Sequence, residues 1–143
     1  MSDWQYLPDW NENELMDGRH VGFVYVFHFP DTGDYYVGSK QLFQRIKDAK
    51  KLKGNEKENG WRDYTSSSKV VNERISTGEY YTKTILWGFS TMKETLLVES
   101  ILILSHILDN RCLNLAVLNK VRAPSMKDRN RLRGIVNEIR EYI

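Results

Sequence analysis

The sequence predicts a small α+β domain, an α/β sandwich in which a three-stranded antiparallel sheet is flanked by helices. Three observations favour this class. Two stretches rich in Val, Phe and Tyr lie on either side of a turn at residues 30–34, a third such stretch covers Tyr80–Trp87, and helix-capping patterns begin at Thr91 and Ser125. Aromatic and β-branched residues favour strands, whereas Ser or Thr followed by an acid three residues later is typical of a helix start.

The composition favours one domain of a soluble protein. The chain has 143 residues, of which 41% are hydrophobic and 28% are charged, and its mean hydropathy of -0.56 argues against a membrane protein. Cys112 is the only cysteine, which excludes an internal disulfide and fits a reducing compartment. No signal peptide precedes the domain, so we expect an intracellular protein. We expect three regions: an acidic and aromatic extension at 1–20, the main domain at 21–118, and a basic C-terminal helix at 119–143 packed on the same domain.

The stretch from Gly22 to Lys40 is predicted to be a β-hairpin. Its turn residues at 30–34 separate two arms with a period of two. One face of the first arm carries Val21, Phe23, Tyr25, Phe27 and Phe29. In the second arm Tyr36, Gly38 and Lys40 share a face. Because paired strands lie about 5 Å apart, the phenols of Tyr25 and Tyr36 are expected to be close together.

The remaining segments predict helices joined by polar loops. The apolar spacing within 41–53 indicates a short basic amphipathic helix. Residues 55–68 read as a loop, 69–76 as a further short helix, and 91–109 as a core helix that polar residues interrupt too often for a bilayer span. A loop or extended piece at 111–124 then leads to a last helix that ends near Tyr142.

The charge is unevenly distributed, although the net charge is only +2. Acidic residues dominate the first twenty positions, and basic residues dominate Lys40–Lys53 and Lys120–Arg133. Basic segments of this kind can neutralise nucleic-acid phosphates. The alternative is that both are solvated helix faces.

The two arms of the hairpin carry a resemblance to a known family. Phe23-Val24-Tyr25 followed by Tyr36-Val37-Gly38, with Tyr36 eleven positions after Tyr25, resembles the paired tripeptides of the GIY-YIG endonucleases. Phe23 departs from the usual Gly of the first tripeptide. The segment Trp61–Lys69 also resembles one found in free-standing, phage-type members, where it is expected to be structural or to contact DNA. The alternative is that both tyrosines are ordinary half-buried strand residues.

Glu99 is the most informative acidic residue. On a helix it shares a face with Leu96, Leu102 and Ile103, and a carboxylate in apolar company is expected to meet a buried Arg or Lys or a metal ion. The resemblance implies the second option, because the family's metal ligand is a Glu on such a helix. A single carboxylate suits Mg²⁺ (or Mn²⁺), which keeps several waters and accepts phosphate oxygens.

Three further site residues follow from the resemblance. Asn114 lies fifteen residues after Glu99, as in homing-type members, and would position a water or anchor the loop; the alternative is a turn-forming Asn. Arg45 corresponds to the family's Arg on the first helix, where its fork would stabilise phosphate charge. The gap from Tyr36 to Arg45 is one residue short, which leaves Lys47 or Arg62 as substitutes. Lys40 would lower the pKa of a tyrosine or bind the scissile phosphate.

The resemblance therefore implies an endonuclease that hydrolyses phosphodiester bonds. Tyr25 is expected to act as general base with Tyr36 orienting or relaying, Glu99 as metal ligand and Arg45 as stabiliser of the transition state. His28 and His106 are alternative bases that are expected to be structural instead. The expected nucleic-acid contacts are Lys40, Lys47, Lys50, Lys51, Arg62 and Lys69.

The expected partner is DNA, with RNA as a less favoured substrate. A small domain with no obvious separate DNA-reading module can act as a homodimer or cut with little sequence preference. If the protein is phage-encoded, its place is the cytoplasm of a bacterial host. The rival from another class is a catalytically inactive nucleic-acid-binding module on the same scaffold.

Overall fold

The structure is a computed structural model that describes residues 3–143, and its centre is a four-stranded mixed sheet. The strands are β1 (Trp4–Tyr6), β2 (Gly22–Phe29), β3 (Asp34–Gln41) and β4 (Thr82–Phe89), in the order β1-β4-β2-β3. The predicted hairpin is confirmed, since β2 and β3 pair antiparallel. Strand β4 pairs antiparallel with β2 on its other side.

The prediction of three antiparallel strands is wrong, because β1 adds a fourth strand parallel to β4. Trp4 fixes this strand: its indole nitrogen donates to the Trp61 carbonyl at 2.9 Å, and its ring packs edge-on against Phe23. A three-residue strand is too short to produce an alternating pattern, so no signal for it is visible in the sequence. The acidic and aromatic N-terminal segment therefore supplies part of the sheet.

Four α-helices flank the sheet. They are α1 (Glu12–Leu15), α2 (Lys69–Ser76), α3 (Met92–His106) and α4 (Met126–Arg140). Thr91 and Ser125 cap α3 and α4 as predicted, each accepting from the backbone N–H three residues later. Within the described residues, no helix combines the length and the apolar character that crossing a membrane requires.

The predicted helix at 41–53 does not form. Strand β3 continues to Gln41, and only a 3₁₀ turn at Ala49–Lys51 follows. Apart from the bonds that close this turn, the backbone of the segment donates to distant parts of the chain: Gln44 N–H donates to the Lys57 carbonyl, and Ala49 N–H donates to the Ser90 carbonyl. Apolar spacing indicated a helix, but these long-range bonds decide the conformation.

The two faces of the sheet carry different cores. Phe23, Tyr25, Phe27 and Phe29 point to one side, here called the aromatic face, and pack with Trp61, Val71 and Ile85. Val24, Val26 and Val37 point to the other side, here called the helical face, and pack under α3 and α4. This division confirms the predicted alternation of β2. Because β3 is an edge strand, side chains from both faces meet around it.

Candidate active site

The phenol of Tyr25 crosses directly over Gly38 on the neighbouring strand. The two residues are register partners, and a Cβ on Gly38 would lie 2.3 Å from the Tyr25 hydroxyl oxygen and 2.4 Å from Cζ. Only glycine leaves this space, which gives a physical reason for the pairing of a first-strand Tyr with a second-strand Tyr-x-Gly. Tyr25 is 1% exposed, and burial, together with Tyr64, raises the pKa of Tyr25 well above its usual range.

Tyr36 is the more accessible of the two phenols and the one close to Glu99. It is half-buried on the aromatic face. Burial raises the pKa of Tyr36, the charges of Glu99 and Tyr64 raise it further, and the nearby hydroxyls of Ser66 and Ser67 oppose the shift. The Tyr36 phenol therefore lies within the electrostatic reach of Glu99.

Lys40 lies on the aromatic face beside Tyr64. Its Nζ lies over the ring of Tyr64, 4.7 Å from the ring centre, and burial lowers the pKa of Lys40 itself. Burial raises the pKa values of Tyr25 and Tyr36. Lys40 holds its ammonium on the aromatic face beside the phenols of Tyr25, Tyr36 and Tyr64, here called the phenol cluster, where a phosphate could meet it.

The loop at residues 61–68 completes the phenol cluster. Buried Lys83 holds this loop from below, since its Nζ donates to the carbonyls of Arg62 at 3.2 Å and Tyr64 at 2.9 Å. Ser66 is only 7% exposed and has a left-handed backbone with φ of 83°. The Asn72 side chain, which donates to the Ser66 carbonyl at 2.8 Å, fixes this conformation.

Ser66 matters because it interacts with both phenols, Tyr25 and Tyr36. Residue-by-residue reading of the sequence missed Ser66 and Lys83. The signal that could have found Ser66 was the family-like segment Trp61–Lys69, which places it within the motif. For Lys83, which lies in a strand among apolar residues, only the tertiary structure reveals the acceptors.

Glu99 lies on α3 with one carboxylate oxygen held by two neutral donors. The Ser39 hydroxyl donates to Oε1 at 2.9 Å, and the Asn119 amide donates to Oε1 at 2.8 Å. Burial raises the pKa of Glu99, and these two hydrogen bonds oppose that shift. Among residues 3–143, no Lys or Arg forms an ion pair with Glu99. Glu99 was expected to meet either a basic side chain or a metal ion, and the described residues do not supply the basic side chain.

Asn114 anchors the segment after α3 to the edge strand. It is 4% exposed, its Oδ1 accepts from Val37 N–H at 2.9 Å, and its Nδ2 donates to the Val37 carbonyl at 2.8 Å. The amide therefore imitates a neighbouring strand next to Tyr36. Both of its polar atoms bind backbone, which favours the anchoring role over the positioning of a water.

Arg45 does not lie on a helix as expected, and Arg62 is held by acidic partners. Arg45 is exposed in an irregular segment with φ of 65° and is not on a helix. Arg62 pairs with Glu12 and Glu58, each at 2.9 Å, and lies over the Trp61 ring, so it is engaged elsewhere. Lys47 is exposed near the start of α3, where its carbonyl accepts from Met92 N–H.

The remaining predicted contacts are at the surface. Lys50 and Lys51 are exposed on the 3₁₀ turn, and Lys69 is exposed at the start of α2. His28 lies on the helical face, away from Tyr25, and burial lowers the pKa of His28. His106 bonds through Nδ1 to the Leu102 carbonyl at 2.7 Å. Neither histidine joins the phenol cluster.

The arrangement of these residues agrees with a comparison against protein families. A family model described as "Putative endonuclease segE, GIY-YIG domain" matches residues 4–119. The chain belongs to the GIY-YIG endonuclease family. No curated protein and no solved structure gives a significant match. In this GIY-YIG chain the family range begins at β1 and ends at Asn119, so the short parallel strand lies within the matched domain and α4 follows it.

Proposed function

We propose that this GIY-YIG protein is a divalent-metal-dependent endonuclease that hydrolyses DNA phosphodiester bonds. The observation that carries the proposal is the half-buried Glu99 carboxylate, which has no basic partner among the described residues and lies within electrostatic reach of the Tyr36 phenol. A buried carboxylate without a cation is costly, and a bound divalent ion would offset that cost.

The residues around Glu99 fit Mg²⁺ or Mn²⁺. Glu99 offers carboxylate oxygen atoms, which are the ligands that these hard ions prefer. Within residues 3–143 no three Asp, Glu, His or Cys side chains converge, so Glu99 would be the single carboxylate ligand, and water and phosphate oxygens would complete the coordination. Bound there, the ion would supply Lewis-acid polarisation of the scissile phosphate.

We assign the proton-accepting role to Tyr36, which reverses the order expected from the sequence. Tyr36 is the phenol that is partly exposed and near Glu99, whereas Tyr25 is 1% exposed. A general base must reach the proton it removes, so accessibility favours Tyr36. To accept a proton Tyr36 must be a phenolate, and a divalent ion held by Glu99 would offset the Glu99 charge that raises the pKa of Tyr36. Tyr25 would act behind it, because both phenols interact with Ser66 and Tyr25 can orient Tyr36 through that hydroxyl.

Lys40 places an ammonium beside this phenol cluster, over the ring of Tyr64. We propose that Lys40 binds the scissile phosphate and stabilises the charge that develops on it. Arg45, Lys47, Lys50, Lys51 and Lys69 would neutralise backbone phosphates on either side. Arg62 is left out of this set because both of its acidic partners hold it.

A plasmid assay tests the proposal. Wild-type protein is incubated with supercoiled DNA and Mg²⁺ or Mn²⁺, beside Glu99→Gln and the matched control Glu138→Gln, whose side chain is exposed on α4. We expect wild type and the control to nick or linearise the plasmid and Glu99→Gln to lose this activity. Equal cutting by Glu99→Gln would refute the proposal, and cutting of structured RNA alone would redirect it to an RNA substrate.

A second candidate function is a nucleic-acid-binding module that does not cut. The observation that favours it is the position of Arg45 in an exposed irregular segment and not on the helix where the resemblance places the family's Arg. Salt-sensitive DNA binding by wild type and Glu99→Gln alike, with no cutting by either, would support this module.

A further inference from the structure

Both side chains that donate to Glu99 end on the same oxygen atom. Ser39, from edge strand β3, and Asn119, from the segment after α3, donate to Oε1 at 2.9 and 2.8 Å. They approach from two separate parts of the chain, so together they limit the rotation of the carboxylate. Since Oε1 accepts both bonds, Oε2 is the atom left for another partner.

Asn119 is itself oriented by a neighbouring hydroxyl. Its Nδ2 lies 3.2 Å from Ser100 Oγ, and Ser100 is 1% exposed. The Ser100 hydroxyl donates to the Leu96 carbonyl at 2.7 Å, which directs its lone pair toward Asn119. A carboxylate can only accept, so the nitrogen of the Asn119 amide must face Glu99. Donation thus runs outward from the Asn119 amide, directly to Glu99 Oε1 on one side and through the Ser100 hydroxyl to the Leu96 carbonyl on the other.

Asn119 also fastens an otherwise exposed segment. The flanking side chains Leu115 and Leu118 are 88% and 91% exposed, whereas Asn119 is half-buried against α3. A hydrogen bond made only to hold a loop would not need a second donor, Ser39, on the same oxygen. The convergence of two donors points to the orientation of Glu99 as the common purpose.

We propose that Ser39 and Asn119 are positioning residues that hold Oε1 of Glu99 and thereby present Oε2 to the divalent ion. This inference rests on the proposed function, because it requires that Glu99 bind the ion. Groups that orient a metal ligand typically contribute about 10- to 100-fold to metal affinity. Each of the two side chains is therefore expected to change ion affinity without contacting the ion.

The test measures Mn²⁺ binding to the free protein by electron paramagnetic resonance, in the absence of DNA. Ser39→Ala and Asn119→Ala are expected to weaken Mn²⁺ binding by about 10-fold or more each. Ser39→Thr keeps the hydroxyl and is expected to bind like wild type. The matched control is Asn137→Ala, an exposed Asn on α4, and circular dichroism verifies that every variant is folded.

Tryptic cleavage after Lys120 and Arg122 separates positioning from loop fastening. If Asn119→Ala speeds this cleavage but binds Mn²⁺ like wild type, Asn119 only fastens the loop and the inference is overturned. Unchanged Mn²⁺ affinity in Ser39→Ala overturns it for Ser39. The proposed function fails separately: in that case Glu99→Gln binds Mn²⁺ as tightly as wild type, whatever the two positioning variants do.

Discussion

Gly38→Ala tests the packing that joins the two strands of the hairpin. The new Cβ would lie 2.3 Å from the Tyr25 hydroxyl oxygen and 2.4 Å from Cζ, about 1 Å closer than an ordinary carbon contact. Tyr25 cannot easily yield, since the rings of Trp4 and Phe27 lie 5.6 and 5.3 Å from its own. Overpacking of this kind costs about 1–3 kcal/mol, and we expect the upper end because the overlap is with a buried ring.

A second background isolates the cause. In a Tyr25→Leu protein the clash is absent, and Gly38 has no left-handed φ, so Ala fits the backbone. There Gly38→Ala should be neutral or stabilise by about 0.4–1 kcal/mol through the unfolded state. The sign of the substitution should therefore change between the two backgrounds.

Urea unfolding followed by tryptophan fluorescence measures all four proteins of this cycle. Gly134→Ala is the matched control, because nothing lies within 4 Å of its added Cβ and Ala is favoured over Gly in a helix by about 1 kcal/mol. An equal cost of Gly38→Ala with and without the Tyr25 ring would show that the glycine is required for some reason other than the phenol above it, and would refute the reasoning.

Three further predictions concern the site and its supports. Tyr36→Phe should lower plasmid cleavage by about 10²–10⁴-fold, as loss of a general base does, and by more than Tyr25→Phe; a larger loss in Tyr25→Phe would restore the order expected from the sequence. Asn114→Ala leaves the buried N–H and C=O of Val37 without partners and should cost about 1–3 kcal/mol in urea unfolding, whereas a cost near zero would mean that water replaces the amide. Burial lowers the pKa of Lys83 from 10.5 to about 8, so the folded protein releases this proton at a lower pH than the unfolded chain, and the free energy of unfolding should rise between pH 8 and 10.5. Lys83→Met should lose that rise in unfolding curves measured across the range, and an unchanged slope would contradict the pKa shift.

Local chemistry was enough to predict several parts of the molecule. The period of two in β2 and the turn at 30–34 predicted the hairpin, because side chains alternate across any strand whatever lies beyond it. The capping patterns at Thr91 and Ser125 predicted the starts of α3 and α4, since a cap is satisfied within four residues. Glu99 could be singled out because one charge among apolar helix positions is visible in the sequence alone.

Other features depended on partners far along the chain. Strand β1 exists because Trp4 reaches Trp61 and the ring of Phe23. The segment at 41–53 has helical spacing, yet its backbone groups bond to Lys57 and Ser90, and Arg45 consequently lies outside any helix. Lys83 and Asn119 carry no local signal, although they shape the site, and Ser66 is marked only by the family-like segment Trp61–Lys69.

The sequence by itself determined the hairpin with its two phenols, the helix that carries Glu99 and the family to which they point. Only the tertiary structure decided which phenol is accessible, which neutral donors hold the carboxylate and which cation lies beside the phenol cluster. The physical reason is that periodicity and capping act over a few residues. Burial and the pairing of polar groups depend instead on which distant segments the fold brings into contact.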